Sequence, residues 1–175
     1  IGANIGAYSL PMARLVAPSG RVFGYEPASE PRRLLAISRG LNAADNLEIV
    51  AAALSDGERE GHLAFGASSE LNALGGSGPG EAVRITSLDR EQTARSFAPP
   101  DFVKIDAEGE EEKILAGGAD FFKRHSPLVL FEIKAGTTIN ARLRAAFIAI
   151  GYDCYRALAG EPVLVRSDPA MPLDD

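Results

Sequence analysis

The chain has 175 residues, enough for one folded domain with a sizeable core. Hydrophobic residues make up 46% and charged residues 24%, as in ordinary globular proteins, and the net charge of -6 argues against general binding to nucleic acid or an anionic membrane. No apolar run could cross a bilayer, no signal-peptide pattern is present, and the single Cys154 excludes an internal disulfide, so we expect a cytoplasmic protein.

Strand-like and helix-like segments alternate along the chain, which favours a parallel α/β sheet. The first predicted elements are a helix over Tyr8–Val16, a strand over Arg21–Tyr25, a helix capped by Ser29, and a strand over Leu47–Ala53. In the helix after Ser29, Leu34, Ile37 and Leu41 recur at helical spacing and Leu35 widens the same apolar face.

The second half continues this alternation. Its predicted elements are possible strands over His62–Phe65 and Val83–Thr86, a helix capped by Ser87, a strand over Phe102–Ile105, a helix over about Glu110–Lys123 interrupted near Gly117, a strand over Leu128–Ile133, a helix from Thr138 to Ile150, and an antiparallel strand pair near Tyr152–Arg156 and Pro162–Val165. The Gly/Ser-rich stretch 66–80 is either a mobile loop near a site or a plain surface loop.

We see no internal repeat, so residues 1–175 are expected to form a single domain. Ile1 is interpreted as the last residue of a strand that begins before this sequence, which makes the chain an N-terminally truncated fragment.

A glycine loop opens the chain, with Gly2 and Gly6 on either side of the turn-forming Asn4. Such a loop between a strand and a helix brings backbone N–H groups close to a ligand, although a tight structural turn explains the glycines equally well. Glu26 lies 20 residues after Gly6 at the end of a strand, where an acid can accept hydrogen bonds from ribose hydroxyls. The pair of features favours nucleoside binding over phosphate binding, with a solvated strand-end acid as the alternative.

Two carboxylates, Asp106 and Glu108, follow the short apolar strand Phe102–Ile105. Asp106 is the first candidate for a general base and Glu108 the second, while a turn followed by a helix start is the structural alternative. Lys104 and Glu132 sit in otherwise apolar strands, where an unpaired charge is costly, so we expect them to pair with each other or to contact a substrate. No metal-specific spacing is present, so no metal is predicted.

The order of motifs resembles the FkbM family of S-adenosylmethionine-dependent methyltransferases. The segments that carry the resemblance are IGANIGAYSL (1–10), VFGYEP (22–27), Asn42 with VAAALSD (50–56), ITSLD (85–89), FVKIDAEG (102–109) and LVLFEI (128–133). The glycine loop is shared by many methyltransferases, whereas the KID-x-EG segment is far more specific.

The resemblance implies a doubly wound, mostly parallel seven-stranded Rossmann-like α/β sheet with an antiparallel edge strand. It also implies methylation of a hydroxyl on a small molecule such as a sugar or secondary metabolite, with S-adenosylmethionine as cofactor. Residue by residue, it assigns cofactor binding to Gly2, Ala3, Asn4, Gly6, Glu26, Pro27, Leu54 and Ser55, and places Asp106 and Glu108 at the methyl group.

Two other function classes remain open from the sequence. A nicotinamide-dependent oxidoreductase shares the glycine loop and the strand-end acid, but the third glycine of the dinucleotide fingerprint and an obvious Tyr-Lys pair for hydride chemistry are absent. A non-catalytic cofactor-binding domain that has kept the fold is the other alternative.

Overall fold

A computed structural model of the chain describes residues 1–66, 72–107, 109–131, 141–157 and 164–166. Helices and strands are interleaved, which confirms a mixed α/β architecture. The helices are α1 (Ser9–Val16), α2 (Ser29–Leu41), α3 (Leu88–Arg95), α4 (Glu111–Ala116), α5 (Ala119–His125) and α6 (Ala141–Ala149). The strands are β1 (Val22–Tyr25), β2 (Leu47–Val50), β3 (Ala53–Leu54), β4 (Arg59–Ala64), β5 (Ala73–Leu74), β6 (Gly80–Thr86), β7 (Phe102–Ile105), β8 (Leu128–Phe131), β9 (Tyr155–Ala157) and β10 (Leu164–Arg166).

The described strands pair in four small sheets. β1 pairs with β2 and β7 with β8, both in parallel, whereas β3, β6, β4 and β5 form a mixed sheet and β9 pairs with β10 antiparallel. The expected single seven-stranded sheet is therefore not what these residues form. The antiparallel pairing predicted near the end of the chain is confirmed, with Arg156 opposite Val165.

Residues Ile1–Ala3 lie between the two parallel pairs. The backbone N–H of Ala3 donates to the carbonyl of Tyr25 at 2.9 Å, and the amino group of Ile1 donates to the carbonyl of Lys104 at 2.8 Å. The N–H of Asp106 in turn donates to the carbonyl of Ile1 at 3.3 Å. The start of the chain thus joins the carboxyl ends of β1 and β7, which brings the residues after both strands together.

The largest core cluster packs α4, α5 and α6 against β1, β2 and β7. Its most buried aromatic side chains are Phe122 and Phe147, and Phe147 stacks on Phe131 with ring centroids 5.1 Å apart. Cys154 is 7% exposed and belongs to this cluster, as its apolar character predicts. Burial raises the pKa of its thiol.

The second helix differs from its prediction in two ways. Its N-cap is Ala28, and Ser29 is the first helical residue, so the predicted Ser29 cap is wrong. Leu35 is completely buried, as predicted, whereas Leu34, Ile37 and Leu41 are 38%, 48% and 82% exposed, so the predicted apolar face is wrong for these three residues. The helix turns Leu35 and Pro31 inward because Leu35 packs with Ala13, Ala44 and Leu47.

Other local predictions are confirmed more closely. Ser87 is the N-cap of α3, and its Oγ accepts the N–H of Arg90 at 3.4 Å. The strand Phe102–Ile105 has the predicted bounds, and the helix after it breaks at Gly117 and Gly118. The predicted strand over Leu47–Ala53 ends earlier, at Val50, and a separate short strand follows at Ala53.

Candidate functional site

The glycine loop at the start of the chain adopts a backbone that few side chains tolerate. Gly2, Asn4 and Gly6 have φ angles of 69°, 46° and 102°. A Cβ on Gly2 would lie 1.8 Å from the carbonyl oxygen of Asp106, and one on Gly6 would lie 2.6 Å from a methyl group of Leu35. Close packing against backbone thus requires glycine at position 2, where the loop meets the end of β7, whereas at position 6 the positive φ is the main reason for glycine.

Glu26 follows directly after β1 and is 7% exposed. Its Oε2 accepts the backbone N–H of Asn4 at 2.7 Å and its Oε1 accepts the N–H of Ala28 at 2.9 Å. Burial raises the pKa of this carboxyl, although the two backbone hydrogen bonds oppose that effect. Glu26 therefore ties the glycine loop to the turn after β1 and remains a buried acceptor beside it.

Arg32 on α2 supports this turn. Its guanidinium donates to the carbonyl of Pro27 at 2.6 Å and to that of Glu26 at 3.2 Å. Arg32 was not among the predicted site residues, because a basic residue inside an amphipathic helix gives no sequence signal for such a contact.

Asp106 follows β7, as predicted, and pairs with Lys104 two residues earlier. The Nζ of Lys104 lies 2.6 Å from Oδ2 of Asp106 and 4.2 Å from the centroid of the Tyr8 ring. Side chains two apart on a strand share a face, which explains how the pair forms. The predicted partner Glu132 and the second candidate base Glu108 lie outside the described residues, so their predicted roles stay predictions.

A cavity of about 100 Å³ lies between the glycine loop, the turn after β1 and the end of β7. Most of the predicted cofactor residues line it together with Asp106. They are Gly2, Asn4, Glu26, Pro27 and Leu54. Apolar side chains from the mixed sheet, Leu63 and Leu74, close its other wall.

The remaining predicted cofactor residues occupy other positions. Ala3 lines a larger groove of about 1250 Å³ that shares Gly2, Asn4 and Asp106 with the small cavity. Gly6 packs on Leu35. The structure thus places Asp106 where the two spaces meet.

Ser55 is fully buried, and its hydroxyl lies 2.7 Å from Oε2 of Glu110. Glu110 is itself 7% exposed and lines the small cavity. Its carboxylate also accepts a hydrogen bond from the ammonium of Lys113 at 2.6 Å. The sequence predicts only a helix-start charge at Glu110, because consecutive acids from 110 to 112 are typical of an exposed first turn. Its contact with Ser55 joins residues that are distant in sequence, so no local pattern reveals it.

Within the described part of the chain, no group of three or more His, Cys, Asp or Glu side chains could hold a metal ion. Over the same residues, no helix is long and apolar enough to cross a membrane.

A family model described as the methyltransferase FkbM domain matches residues 1–154. The chain belongs to the FkbM methyltransferase family. This confirms the resemblance carried by the glycine loop, the VFGYEP segment and the KID-x-EG segment.

The chain is also similar to a solved structure, the methyltransferase FkbM from Methylobacillus flagellatus KT. The TM-score is 0.56 at 17% sequence identity, and the match covers 74% of this chain and 30% of that chain. At this identity the likeness shows a shared fold. A search among curated protein sequences gave no match.

Proposed function

We propose that this FkbM family member is an S-adenosylmethionine-dependent methyltransferase that methylates a hydroxyl group on a small molecule. The observation that carries the proposal is that two carboxylates, Glu26 and Asp106, line one cavity beside the glycine loop. The carboxylate of Glu26 suits the ribose of a nucleoside cofactor, and that of Asp106 suits an acceptor hydroxyl that must lose its proton.

The residues at the small cavity fit an adenosyl group chemically. Glu26 offers a carboxylate to ribose hydroxyls, and hydrogen bonds to a charged acceptor contribute roughly 1.5–3 kcal/mol each. Leu54 and Ala53 supply apolar contact for a base. The volume of about 100 Å³ is below the roughly 300 Å³ at the small end of ligand sites, so an adenosyl group needs more room than this cavity alone provides.

Asp106 is proposed as the general base. Held beside Glu26 and the glycine loop, the cofactor would supply an electrophilic methyl group for the acceptor oxygen, with its sulfur as the leaving group. A carboxylate oxygen of Asp106 takes the proton of the acceptor hydroxyl as the acceptor oxygen attacks. Positioning in line contributes roughly 7–11 kcal/mol and a positioned base about 10²–10⁴ in rate.

We further propose that the two parallel strand pairs belong to one layer in the whole protein. The support is that Ile1–Ala3 forms backbone hydrogen bonds to the end of β1 on one side and to the end of β7 on the other. A layer in the order β2, β1, Ile1–Ala3, β7, β8 places Glu26 and Asp106 at its carboxyl edge, where ligands bind in open α/β sheets.

The proposed function is tested by calorimetric titration of S-adenosylhomocysteine into the full-length protein, with NAD as the control ligand. Glu26→Ala is expected to weaken binding at least tenfold, since one charge-assisted hydrogen bond is worth roughly 1.5–3 kcal/mol. Glu30→Ala is the matched control, because Glu30 is exposed and pairs with Arg33 at 2.7 Å. Saturable NAD binding without S-adenosylhomocysteine binding would instead favour a nicotinamide-dependent enzyme.

A further inference from the structure

Lys104 stands out among the residues of β7. The strand alternates, with Val103 and Ile105 buried at 9% and 1% exposure on one face and Lys104 on the other. The Lys104 side chain is nevertheless only 9% exposed, whereas that of Asp106 is 34% exposed. Because burying a charge is costly unless it is paired, the buried ammonium of Lys104 requires stabilising contacts.

Two contacts hold the ammonium of Lys104. Oδ2 of Asp106 lies 2.6 Å away, and the ring of Tyr8 lies 4.2 Å away at its centroid. A charge-assisted hydrogen bond fixes one carboxylate oxygen, and a cation–π contact also restrains the lysine. Tyr8 precedes α1, so the contact links the end of the glycine loop to β7.

We infer that Lys104 is a positioning residue for Asp106, held in place by the ring of Tyr8, and that it acts through Asp106 rather than on the methyl acceptor. This inference rests on the proposed function, and it replaces direct substrate binding as the role of Lys104. The bond from Lys104 occupies Oδ2, and no described residue donates to Oδ1. The pair therefore fixes the carboxylate while leaving Oδ1 to accept the hydroxyl proton.

Removing the ammonium would release a carboxylate that is already one-third exposed, so its orientation would be lost without unfolding the site. A displacement of about 1 Å at a catalytic group can cost about 10²-fold in rate. We expect Lys104→Met to lower kcat about 10- to 100-fold and to leave the affinity for S-adenosylhomocysteine within about twofold. Lys104→Arg keeps a cationic donor and is expected to restore most of the rate.

The deciding experiment is a double-mutant cycle with Lys104→Met and Asp106→Asn in the full-length protein. S-Adenosylhomocysteine release from S-adenosylmethionine is followed with a panel of simple sugars and alcohols as acceptors, and S-adenosylhomocysteine binding is measured on the same samples. If Lys104 acts through Asp106, adding Lys104→Met to Asp106→Asn causes less than a further threefold loss. Lys123→Met, at an exposed position on α5, is the matched control.

The outcomes distinguish the positioning role of Lys104 from the proposed methyltransferase function. If Lys104→Met binds S-adenosylhomocysteine and keeps full turnover, the positioning role is overturned and the proposed function still holds. Independent, multiplicative losses from the two substitutions overturn it as well, and so does a fall in turnover that Lys104→Arg does not rescue. No binding of S-adenosylhomocysteine by the folded wild-type protein overturns the proposed function and this inference with it.

Discussion

The backbone N–H of Asn4 donates a hydrogen bond of 2.7 Å to the carboxylate of Glu26. This bond joins the glycine loop to the turn after β1, where Ala28 donates to the other carboxylate oxygen at 2.9 Å. A buried carboxylate held by two backbone donors is fixed in direction before any ligand arrives. The same burial raises the pKa of Glu26 above its usual range, which gives the site a measurable pH dependence.

The first prediction concerns Glu26→Gln in the ligand-free protein. Because the pKa of Glu26 is raised, the native state keeps a proton that the unfolded chain releases near pH 4.5. The stability that accompanies this proton is present below pH 4.5 and is lost as the pH rises through the raised pKa. We expect the free energy of unfolding of wild type, relative to Glu26→Gln, to fall over that window in urea titrations at successive pH values. A relative stability of wild type that increases with pH there would contradict the assignment.

A second prediction addresses Gly2→Ala. The φ of 69° at Gly2 imposes a backbone strain of about 1–3 kcal/mol on a non-glycine residue. The new Cβ would also lie 1.8 Å from the backbone oxygen of Asp106. Relief requires the loop and the end of β7 to separate, so we expect stability to fall by at least about 2 kcal/mol and S-adenosylhomocysteine binding to be lost. Thermal unfolding and calorimetry measure the two effects.

Gly57→Ala is the control for that substitution, because a Cβ at Gly57 would meet nothing within 4 Å. It should be close to neutral in both measurements. Equal tolerance of alanine at Gly2 and Gly57 would show that the glycine loop has more room than the structure gives it.

The sequence predicts much of this fold because many signals are local. Ser87 caps α3, the apolar run Phe102–Ile105 forms a strand with those bounds, and Gly117 interrupts the helix after it. The ordered motifs around Gly2, Glu26 and Asp106 also identify the family correctly. The cap, the strand and the helix break, and each single motif, depend on residues that lie within a few positions of one another.

The features that the sequence does not predict depend on contacts between distant segments. Glu110 is buried because it meets Ser55, and Lys104 has its ammonium between Asp106 and Tyr8. How the strands divide among sheets depends on backbone pairing, which apolar patterns do not specify. The helix α2 illustrates the same limit, since adjacent leucines give two possible faces and packing against Leu47 selects Leu35.

The third prediction uses those adjacent leucines. Leu35 is 0% exposed and Leu34 is 38% exposed, although both lie on α2. Replacing either leucine by alanine removes the same side-chain atoms. We expect Leu35→Ala to reduce the free energy of unfolding by about 2–5 kcal/mol and Leu34→Ala by less than about 1.5 kcal/mol. Chemical denaturation of the two variants under identical conditions measures the difference. Equal losses would restore the sequence-based assignment of Leu34 to the core-facing side.

The fourth prediction concerns Glu91, whose side chain is 4% exposed and accepts three hydrogen bonds. Arg95 donates at 2.7 Å, Arg84 at 3.0 Å and the hydroxyl of Tyr25 at 3.1 Å. Burial opposes ionisation of Glu91, but the hydrogen bonds from the two arginines prevail and lower its pKa. Burial and the charge of Glu91 together raise the pKa of Tyr25, so the phenol remains a donor throughout the neutral range.

Glu91→Gln should therefore destabilise the protein by about 1.5–3 kcal/mol at pH 7, because hydrogen bonds to a charged acceptor are lost. A lowered native pKa contributes stability that is present above the unfolded value of 4.5 and is lost as the pH falls through the native pKa. The gap between wild type and Glu91→Gln should thus narrow below pH 4.5, in the opposite sense to Glu26. Glu58→Gln removes an exposed pair with Arg90 and is expected to cost less than about 1 kcal/mol. A gap for Glu91→Gln that stays constant from pH 7 to pH 3 would show that the charge of Glu91 contributes nothing to the network.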